Sequence, residues 1–469
     1  MSKGNTLEDD PRSSKFRSSK LSRLLKIGGT IAKASSQIAM DKVKRSTQDA
    51  IKIAENVGET TAKIKAAREI IKSMGELKGG LMKVGQMISM TEDLLLPKEI
   101  TALFASLQNT APAMEASQVD KIFLRNFGKK PEEMFDSFNR KPIAAASIGQ
   151  VHEAFIGKDQ KVAIKIQYPK IVDAIKNDLS SIDMLDNLFS LFIPGKPQIR
   201  SMLEETRNVL LEECDYQNEL NNIQFFKEKL EGEFKNRVHV PTPFPEYSSN
   251  EILTLEYVYG DSFDETLSYN QRTKDELGEL SYHIFMYSFF NLGKIHTDPQ
   301  HGNFFYNQSK ITILDFGSTK KFSEMFMDHY TGLLISVERS DIELFKISAI
   351  KLEMIRENDP LEYIEKQFDL IKTIYGPFLK PGIYPIEEIN PFQLVKEFFN
   401  SINLKGKKAP NEEFLLLDRA NIGLFSKAKA WNSYVDWEEG RKLYRYPYSI
   451  GAIKRIVDQN QGFNPRYEY

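Results

Sequence analysis

Two polar segments in the second half of the chain most constrain what it can fold into. In the first, Asp298 and Asn303 stand five residues apart; in the second, an apolar run ends at Asp315 and is followed by Phe-Gly. Carboxylate and amide oxygens are ligands that Mg²⁺ accepts, and a further carboxylate beside such a metal can orient or deprotonate an attacking hydroxyl. Either segment alone could be a polar turn. Only twelve residues separate Asn303 from Asp315, so together they predict a metal-dependent phosphoryl site.

Further elements precede these segments in the order found in protein kinases. Val162–Lys165 reads as a strand that carries a lysine suited to contacting phosphates. A lysine there needs an acidic partner, and the helical stretch after it offers several acids between Glu212 and Glu219. Their order alone does not choose among them. Ala144–Ser147 stands where a glycine-rich loop would cover the phosphates, and the alternative interpretation of this segment is a small-residue helix start.

The pattern along the chain predicts an α+β, bilobal protein-kinase-like fold with a helical N-terminal extension. Short β-like runs are predicted at Ile148–Phe155, Lys161–Gln167 and Glu251–Val258, with a helical stretch from Ile171 to about Lys229 between the second and the third. The chain after Gly260 reads as almost entirely helical apart from runs near Phe304 and Ile311–Leu314. The predicted domains are a basic leader (1–45), a helical extension (46–135), a small nucleotide-binding lobe (136–258) and a helical large lobe (259–469).

Several departures set the chain apart from ordinary protein kinases: alanines replace the loop glycines, Gln300 stands where a lysine is usual, and no Ala-Pro-Glu follows Asp315. Together with Lys83-Val84-Gly85-Gln86, Glu213-Cys214-Asp215 and a His-x-Asp-Pro-x-x-Gly-Asn loop around Asp298, they resemble the UbiB/AarF family of atypical kinases, in its coenzyme Q biosynthesis branch. The resemblance covers about residues 20–460. It implies an ATP- and Mg²⁺-dependent phosphotransferase or ATPase that supports ubiquinone or related lipid metabolism.

The resemblance also implies roles for individual residues. Asp298 and Lys165 would be catalytic, and Asn303 and Asp315 would hold the metal. Glu219 falls on the position that pairs with the strand lysine. Lys83 and Gln86 would fold over the site toward Glu213 and Asp215, as regulatory residues. The nucleotide-binding residues would be Ile143, Ala144, Ala145, Ala146, Ser147, Lys165, Glu219, Leu255, Glu256, Tyr257, Val258, Asn303 and Asp315.

Composition bounds the partners and the compartment. The net charge of −2 lacks the basic excess of nucleic-acid binders, and the single cysteine, Cys214, permits no intramolecular disulfide. Leu24–Met40 is too short and too charged to span a bilayer, so we expect no transmembrane span. The basic leader reads either as a solvated tail or as an amphipathic helix on an anionic membrane. We expect a cytoplasmic or mitochondrial-matrix protein, not a secreted one, that can be peripheral on a membrane.

Two alternatives to the lipid-linked kinase stay open at this point. The lipid-linked kinase would have quinone-like lipids or their biosynthetic enzymes as partners. One alternative is a nucleotide-binding scaffold that organises a lipid-biosynthetic enzyme complex without transferring a phosphoryl group. The other is a protein kinase, which the missing peptide-binding features disfavour. The phosphoryl acceptor leaves no readable motif in the sequence.

Overall fold

The computed structural model describes residues 113–146, 148–169, 171–173, 211–388, 412–460 and 463. They fall into two compact units. The first comprises the described residues up to Leu220 together with Pro243–Tyr257, and the second comprises Asn221–Thr242 and the described residues from Val258 onward. The predicted leader (1–45) and residues 46–112 of the predicted extension (46–135) lie outside the described residues, as does the apolar stretch Leu24–Met40.

The first unit is built around an antiparallel sheet with two short helices before it. Its elements are α1 (Ala116–Phe127), α2 (Pro131–Met134), β1 (Ser137–Phe138), β2 (Ala144–Ala145), β3 (Gly149–Ile156), β4 (Gln160–Gln167) and β6 (Ile252–Glu256). The strand order is β1-β3-β4-β6, and β2 also pairs with β3. The three main strands, β3, β4 and β6, confirm the β-like runs predicted at Ile148–Phe155, Lys161–Gln167 and Glu251–Val258.

The β3–β4 hairpin fixes the register of this sheet. It pairs Ile156 with Gln160 at the turn and Gly149 with Gln167 at the other end. Alternate side chains of β4, including Val162 and Ile164, are fully buried, as period-two patterning requires. A Cβ on Gly149 would lie 2.2 Å from the carbonyl oxygen of Ile166, so only glycine permits this approach of β3 to β4.

The second unit is mainly helical. Its α-helices are α4 (Phe263–Thr266), α5 (Gln271–Phe290), α6 (Glu324–Arg339), α7 (Ile342–Lys351), α8 (Leu361–Tyr375), α9 (Glu412–Trp431), α10 (Trp437–Gly440) and α11 (Tyr446–Gln459), with a π-helical segment Arg441–Arg445 between the last two. Its strands are β5 (Val238–His239), β7 (Lys294–His296), β8 (Phe304–Asn307), β9 (Lys310–Ile313), β10 (Thr319–Lys321), β11 (Ile383–Pro385) and β12 (Tyr434–Asp436). The helix α3 (Tyr216–Phe234) begins in the first unit and ends in the second.

The prediction that the chain after Gly260 has strands only near Phe304 and Ile311 was wrong in detail. Two antiparallel pairs, β7–β10 and β11–β12, were not predicted. Each of these strands is three residues long, too short for alternation to be recognised in the sequence.

The helices of the second unit begin at residues that cap them and share one aromatic-rich core. Asn270, Ser323 and Asp341 each accept a backbone N–H from the first turn of α5, α6 and α7. Fully buried aromatic side chains such as Phe289 and Phe326 fill the core between these helices. Within the described part of the chain, no helix combines the length and the apolar character needed to cross a bilayer.

Candidate functional site

In the first unit, the strand lysine is held by one of the acids on the helix that follows. Nζ of Lys165 donates to Oε1 of Glu219 at 2.6 Å, and the side chains are 14% and 2% exposed. The short distance and the burial make this a charge-assisted hydrogen bond shielded from solvent. It orients the ammonium group on β4, as phosphate binding would require.

Glu219, the acid that the resemblance indicates, is therefore the one that contacts Lys165. The other two acids of interest have different surroundings. Glu213 is buried, and Asp215 is exposed. Oδ1 of Asp215 accepts the backbone N–H of Asn218 at 3.0 Å, so Asp215 caps α3, the helix that carries Glu219. Lys83 and Gln86, the predicted partners of Glu213 and Asp215, lie outside the described residues.

The alanine-rich segment is a strand in the first unit, and the helix-start interpretation is wrong. Ala144 and Ala145 pair with Val151 and Gln150. The N–H of Ile143 donates to Val151 at 2.8 Å, and the N–H of Ala146 donates to Gly149 at 2.9 Å. The N–H groups of Ile143 and Ala146 are thus hydrogen-bonded to β3, so a phosphate bound by this segment would need other hydrogen-bond donors. Ser147 lies outside the described residues.

The predicted nucleotide-binding residues Leu255–Val258 lie at the end of the last strand of the same sheet and directly after it. Leu255 is buried and β6 ends at Glu256, which pairs with Val162. The N–H of Tyr257 donates to the carbonyl of Lys161 at 3.2 Å, and the ammonium of Lys161 lies 3.9 Å from the Tyr257 ring centre. Tyr257 thus continues the sheet by one residue. Val258 begins the second unit.

In the second unit, two antiparallel strand pairs bring the two polar segments together. Phe304 at the start of β8 pairs with Ile313 at the end of β9, and the N–H of Leu314 donates to the carbonyl of Asn303 at 2.9 Å. His296 at the end of β7 pairs with Thr319 at the start of β10. Because Asn303 precedes β8 and Asp315 follows β9, this register places both next to the loop that contains Asp298.

His296 joins the two segments through its ring. Its Nε2 lies 2.7 Å from the carbonyl oxygen of Asp315, and its Nδ1 lies 3.2 Å from the backbone N–H of Asp298. Nδ1 must accept from that N–H, so Nε2 carries the proton and the ring is neutral. Burial lowers the pKa of His296, which favours this neutral form. His296 therefore fixes the backbone on both sides of the site.

The side chains of Asn303 and Asp315 fit the ligand set of a magnesium ion. Nδ2 of Asn303 donates to the carbonyl of Asp298 at 3.3 Å, so the amide oxygen is the atom suited to hold a cation. Oδ1 of Asp315 accepts the N–H of Gly317 at 2.9 Å, which orients the carboxylate. An amide oxygen and a carboxylate on neighbouring backbone are hard oxygen donors, as Mg²⁺ requires.

The residue after Asp315 is anchored to the later part of α3. Phe316 is fully buried and stacks on Phe226 with ring centres 4.9 Å apart. Its carbonyl accepts from Nδ2 of Asn222 at 3.0 Å, and Lys294 donates to Oδ1 of Asn222 at 2.5 Å. This buried chain of contacts holds the Asp-Phe-Gly segment in one conformation.

A long C-terminal helix packs directly against the Asp298 loop. Nη2 of Arg419 on α9 donates to Oδ1 of Asp298 at 3.2 Å, and the Asp298 side chain is 5% exposed. One turn later, a Cβ on Gly423 would lie 1.8 Å from Cβ of Pro299, so the helix and the loop are in backbone-close contact. The Nε and Nη1 atoms of Arg419 are buried and have no hydrogen-bond partner among the described residues.

A second cation lies on the same helix face. Lys427 follows Gly423 by one turn; its ammonium lies 3.1 Å from the Phe304 ring centre. Burial lowers the pKa of Lys427 to about 7, and Asp298 partly offsets this effect. Arg419, together with Lys427 in its protonated form, gives the surroundings of Asp298 a positive character that the motifs did not predict.

Comparison with known proteins identifies the family. A model of the ABC1 atypical kinase-like domain matches residues 106–348, more than half of the chain. The chain belongs to the ABC1 atypical kinase-like family. The family resemblance inferred from the motifs is thereby confirmed. The matched region begins before the alanine-rich segment and ends after the Asp-Phe-Gly segment.

Curated relatives in this family include mitochondrial atypical kinases. The chain is 28% identical over 420 residues to COQ8 of Schizosaccharomyces pombe, which covers 88% of this chain and 67% of that protein. It is 30% identical over 311 residues to COQ8 of Saccharomyces cerevisiae, with 66% and 62% covered, and 30% identical over 369 residues to COQ8B of Danio rerio, with 78% and 59% covered. The chain thus spans between 59% and 67% of these relatives' lengths.

A solved structure supports the fold assignment. The Mycobacterium tuberculosis protein Rv3197, solved in complex with erythromycin, superposes with a TM-score of 0.54 at 23% identity, covering 84% of this chain and 99% of that one. At this identity the likeness shows the fold alone. The predicted α+β kinase-like class is confirmed.

The sequence motifs did not point to three residues that the structure places at the Asp298 loop: His296, Arg419 and Lys427. His296 stood inside the recognised motif, and its position two residues before Asp298 was an available signal. Arg419 and Lys427 had no such signal, because they lie more than a hundred residues from Asp298 along the chain. Their spacing of eight residues indicates only a common helix face.

Proposed function

We propose that this chain is an atypical kinase or ATPase that binds Mg-ATP and supports isoprenoid quinone or related lipid metabolism. One observation carries the proposal: His296 binds both the Asp298 amide and the Asp315 carbonyl, and Asn303 binds the Asp298 carbonyl. A turn with only a structural role would not require two carboxylates and an amide to be held close together by hydrogen bonds to their backbone. The arrangement matches the needs of phosphoryl transfer.

Each side chain would have a distinct task in the reaction. Magnesium would neutralise charge on the phosphates, with the amide oxygen of Asn303 and the carboxylate of Asp315 as its protein ligands. Asp298 would orient the attacking hydroxyl or water and accept its proton. Lys165, held by Glu219, would contact the α- and β-phosphates. Arg419 favours the ionised form of Asp298 and keeps its carboxylate in place.

The acceptor side of the proposal rests on the relatives. Several are mitochondrial atypical kinases, and the family resemblance links them to ubiquinone metabolism. We infer that the chain acts peripherally on a membrane, in a mitochondrion or an equivalent compartment, where quinone-like lipids or their biosynthetic enzymes would be its partners. Either a small-molecule hydroxyl or water would receive the phosphoryl group.

ATP turnover with Mg²⁺ tests the proposal directly. Turnover is measured with the full chain alone, with anionic liposomes, and with liposomes that contain quinone-like lipids. Asp298→Asn and Asp315→Asn should each reduce turnover by about a hundredfold or more, since general-base and metal contributions are of that size. The matched control is Asp458→Asn, an exposed aspartate on α11. Absence of turnover under all lipid conditions would sink the proposal.

A second function, a nucleotide-binding scaffold that transfers nothing, is favoured by one observation. One carboxylate oxygen of Asp298, the side chain that would meet an acceptor hydroxyl, accepts a hydrogen bond from Arg419. On this alternative, Asp315→Asn abolishes nucleotide binding and biological function, whereas Asp298→Asn leaves both intact. Complementation of a quinone-deficient deletion strain with each variant separates the two functions. Loss of complementation in the Asp298→Asn strain, with nucleotide binding retained, supports the kinase or ATPase.

A further inference from the structure

The second unit contains a cavity next to the helix that contacts the Asp298 loop. Its volume is about 130 Å³, and aromatic and aliphatic side chains such as Phe285, Leu334 and Phe425 form most of its wall. On α9, Asp418, Ile422 and Phe425 line the cavity. Arg419 and Gly423 on the same helix face the Asp298 loop instead. The cavity is therefore distinct from the proposed metal and phosphate site.

Two buried arginines set this cavity apart from an ordinary packing void. Arg441 and Arg445 both line it and are 4% and 1% exposed. They stand at the two ends of a π-helical segment, a rare conformation that often accompanies functional sites. Buried guanidinium groups are expected to have all their N–H groups paired, because an unpaired buried donor is costly.

The donors of these arginines are incompletely used. Arg445 donates through Nη2 to Glu338, but its Nε and Nη1 atoms have no partner among the described residues. Arg441 donates through Nη1 and Nη2 to the carbonyls of Phe378 and Leu379, and its Nε has none. In the part of the chain that the structure describes, Arg441 forms no ion pair with a carboxylate. Two residues of the cavity lining thus have three buried nitrogen atoms, which carry four N–H groups, without a partner among the described residues.

We propose that this cavity binds a single-ring carboxylate, with its ring among the aromatic side chains and its carboxylate at Arg445 and Arg441. The volume of the cavity limits the apolar part of the ligand to about one ring, since a cavity of about 150 Å³ accommodates a benzene ring. The guanidinium donors set the charge, since a carboxylate accepts two N–H groups of an arginine at once. The proposal does not depend on ATP turnover.

One acidic group inside the cavity is compatible with an anionic ligand. Burial raises the pKa of Asp418 to about 7, so this carboxyl is largely neutral in slightly acidic solution. Burial raises the pKa values of Tyr330 and Tyr375, and the charge of Asp418 contributes to the rise of both. Binding measurements at about pH 6 therefore meet little repulsion from this group.

Ligand-observed NMR with the full chain tests the proposal through three probes. Benzoate is the expected ligand, benzyl alcohol is a ring of similar size without charge, and 2-naphthoate is a carboxylate with a second ring. Saturable benzoate binding is expected, with each of the other two probes about tenfold weaker or more, because one lacks the charge-assisted hydrogen bonds and the other exceeds the cavity. No saturation by benzoate up to about 10 mM, the limit of weak fragment affinity, overturns the proposal.

Three variants locate the binding. Arg445→Gln removes the cation, and Leu334→Phe fills the apolar wall; both should weaken benzoate binding by about tenfold or more. Lys442→Met is the matched control, because it removes a neighbouring cation whose side chain is 59% exposed. Unchanged binding in either cavity variant, or an equal loss in the control, overturns the proposal. Should Arg445→Gln fail to fold in a thermal melt, Leu334→Phe and the three probes still decide the matter.

Discussion

Arg419 on α9 donates to the carboxylate of Asp298 across 121 residues of chain, at 3.2 Å and largely shielded from solvent. Arginine in such a position favours the ionised carboxylate and restricts its rotation. The side chain that would act on the acceptor is thereby held by a helix that the kinase motifs do not include. This relationship leads to the first prediction.

Arg419→Met should lower ATP turnover by about tenfold or more and shift the acid limb of the pH–rate profile to higher pH. The cause is the loss of the cation that favours ionised Asp298, since one tenfold factor corresponds to about 1.4 kcal/mol. Arg419→Lys should keep more of the turnover rate than Arg419→Met but should not reproduce the wild-type pH–rate profile, because a lysine is a point charge with different geometry. Steady-state kinetics across pH measures both effects.

The control for Arg419 is Lys429→Met, a change on the exposed side of the same helix that should leave the profile unchanged. An Arg419→Met enzyme whose rate falls but whose profile keeps its position would show that Arg419 acts on folding alone. Thermal unfolding of each variant is needed beside the kinetics.

Gly423→Ala should destabilise the protein and disturb the Asp298 loop. The added Cβ would lie 1.8 Å from Cβ of Pro299, so α9 or the loop must move. Forced overpacking of this kind costs about 1–3 kcal/mol. Gly232→Ala is the matched control on α3, where a Cβ meets nothing within 4 Å and should stabilise the helix by about 0.5–1 kcal/mol. Urea unfolding measures both; equal effects of the two changes would contradict the prediction.

Glu219→Gln should weaken nucleotide binding because the ammonium of Lys165 loses its buried carboxylate. Lys165→Met should weaken it further, by about tenfold or more, since the charge itself is removed. Lys158→Met, in the exposed turn between β3 and β4, is the control. Fluorescence titration with a nucleotide analogue measures the affinities. Wild-type affinity in the Lys165→Met variant would exclude this lysine from the phosphate site.

Asp418→Asn should stabilise the protein at neutral and higher pH and not at pH 4. The folded-state pKa of about 7 lies above the ordinary value of 3.8, so the unfolded chain releases this proton first as the pH rises. The stability associated with protonated Asp418 is complete below pH 3.8 and is lost up to about pH 7. The shift corresponds to a few kcal/mol, at about 1.4 kcal/mol for each pH unit.

Urea unfolding of wild type and Asp418→Asn at pH 4, 5.5 and 7.5 measures this difference. The gain from the substitution should grow with pH and level off above about pH 7. A gain that is the same at all three values would mean that the asparagine acts through packing and that the carboxyl does not titrate in this window.

Much of the fold and part of the site could be predicted from the sequence because they depend on local pattern. The strands β3, β4 and β6 follow from short β-like runs in the sequence, and Lys165 is recognised from its place in such a run. The three-residue strands beside His296 escaped prediction because so short a run carries no period. The alanine segment was ambiguous for the same reason, and pairing with β3 made it a strand.

By itself, the sequence determined which chemical groups a kinase-like site could use: the order and spacing of Lys165, Asp298, Asn303 and Asp315 are properties of the chain. Tertiary structure decided which groups distant in the chain lie together. It selected Glu219 from several acids, brought Arg419 to Asp298, and enclosed Arg441 and Arg445 beside an aromatic cavity. The physical reason is that helical periodicity fixes which residues share a face, whereas the partner of that face is set by packing between elements distant in the chain.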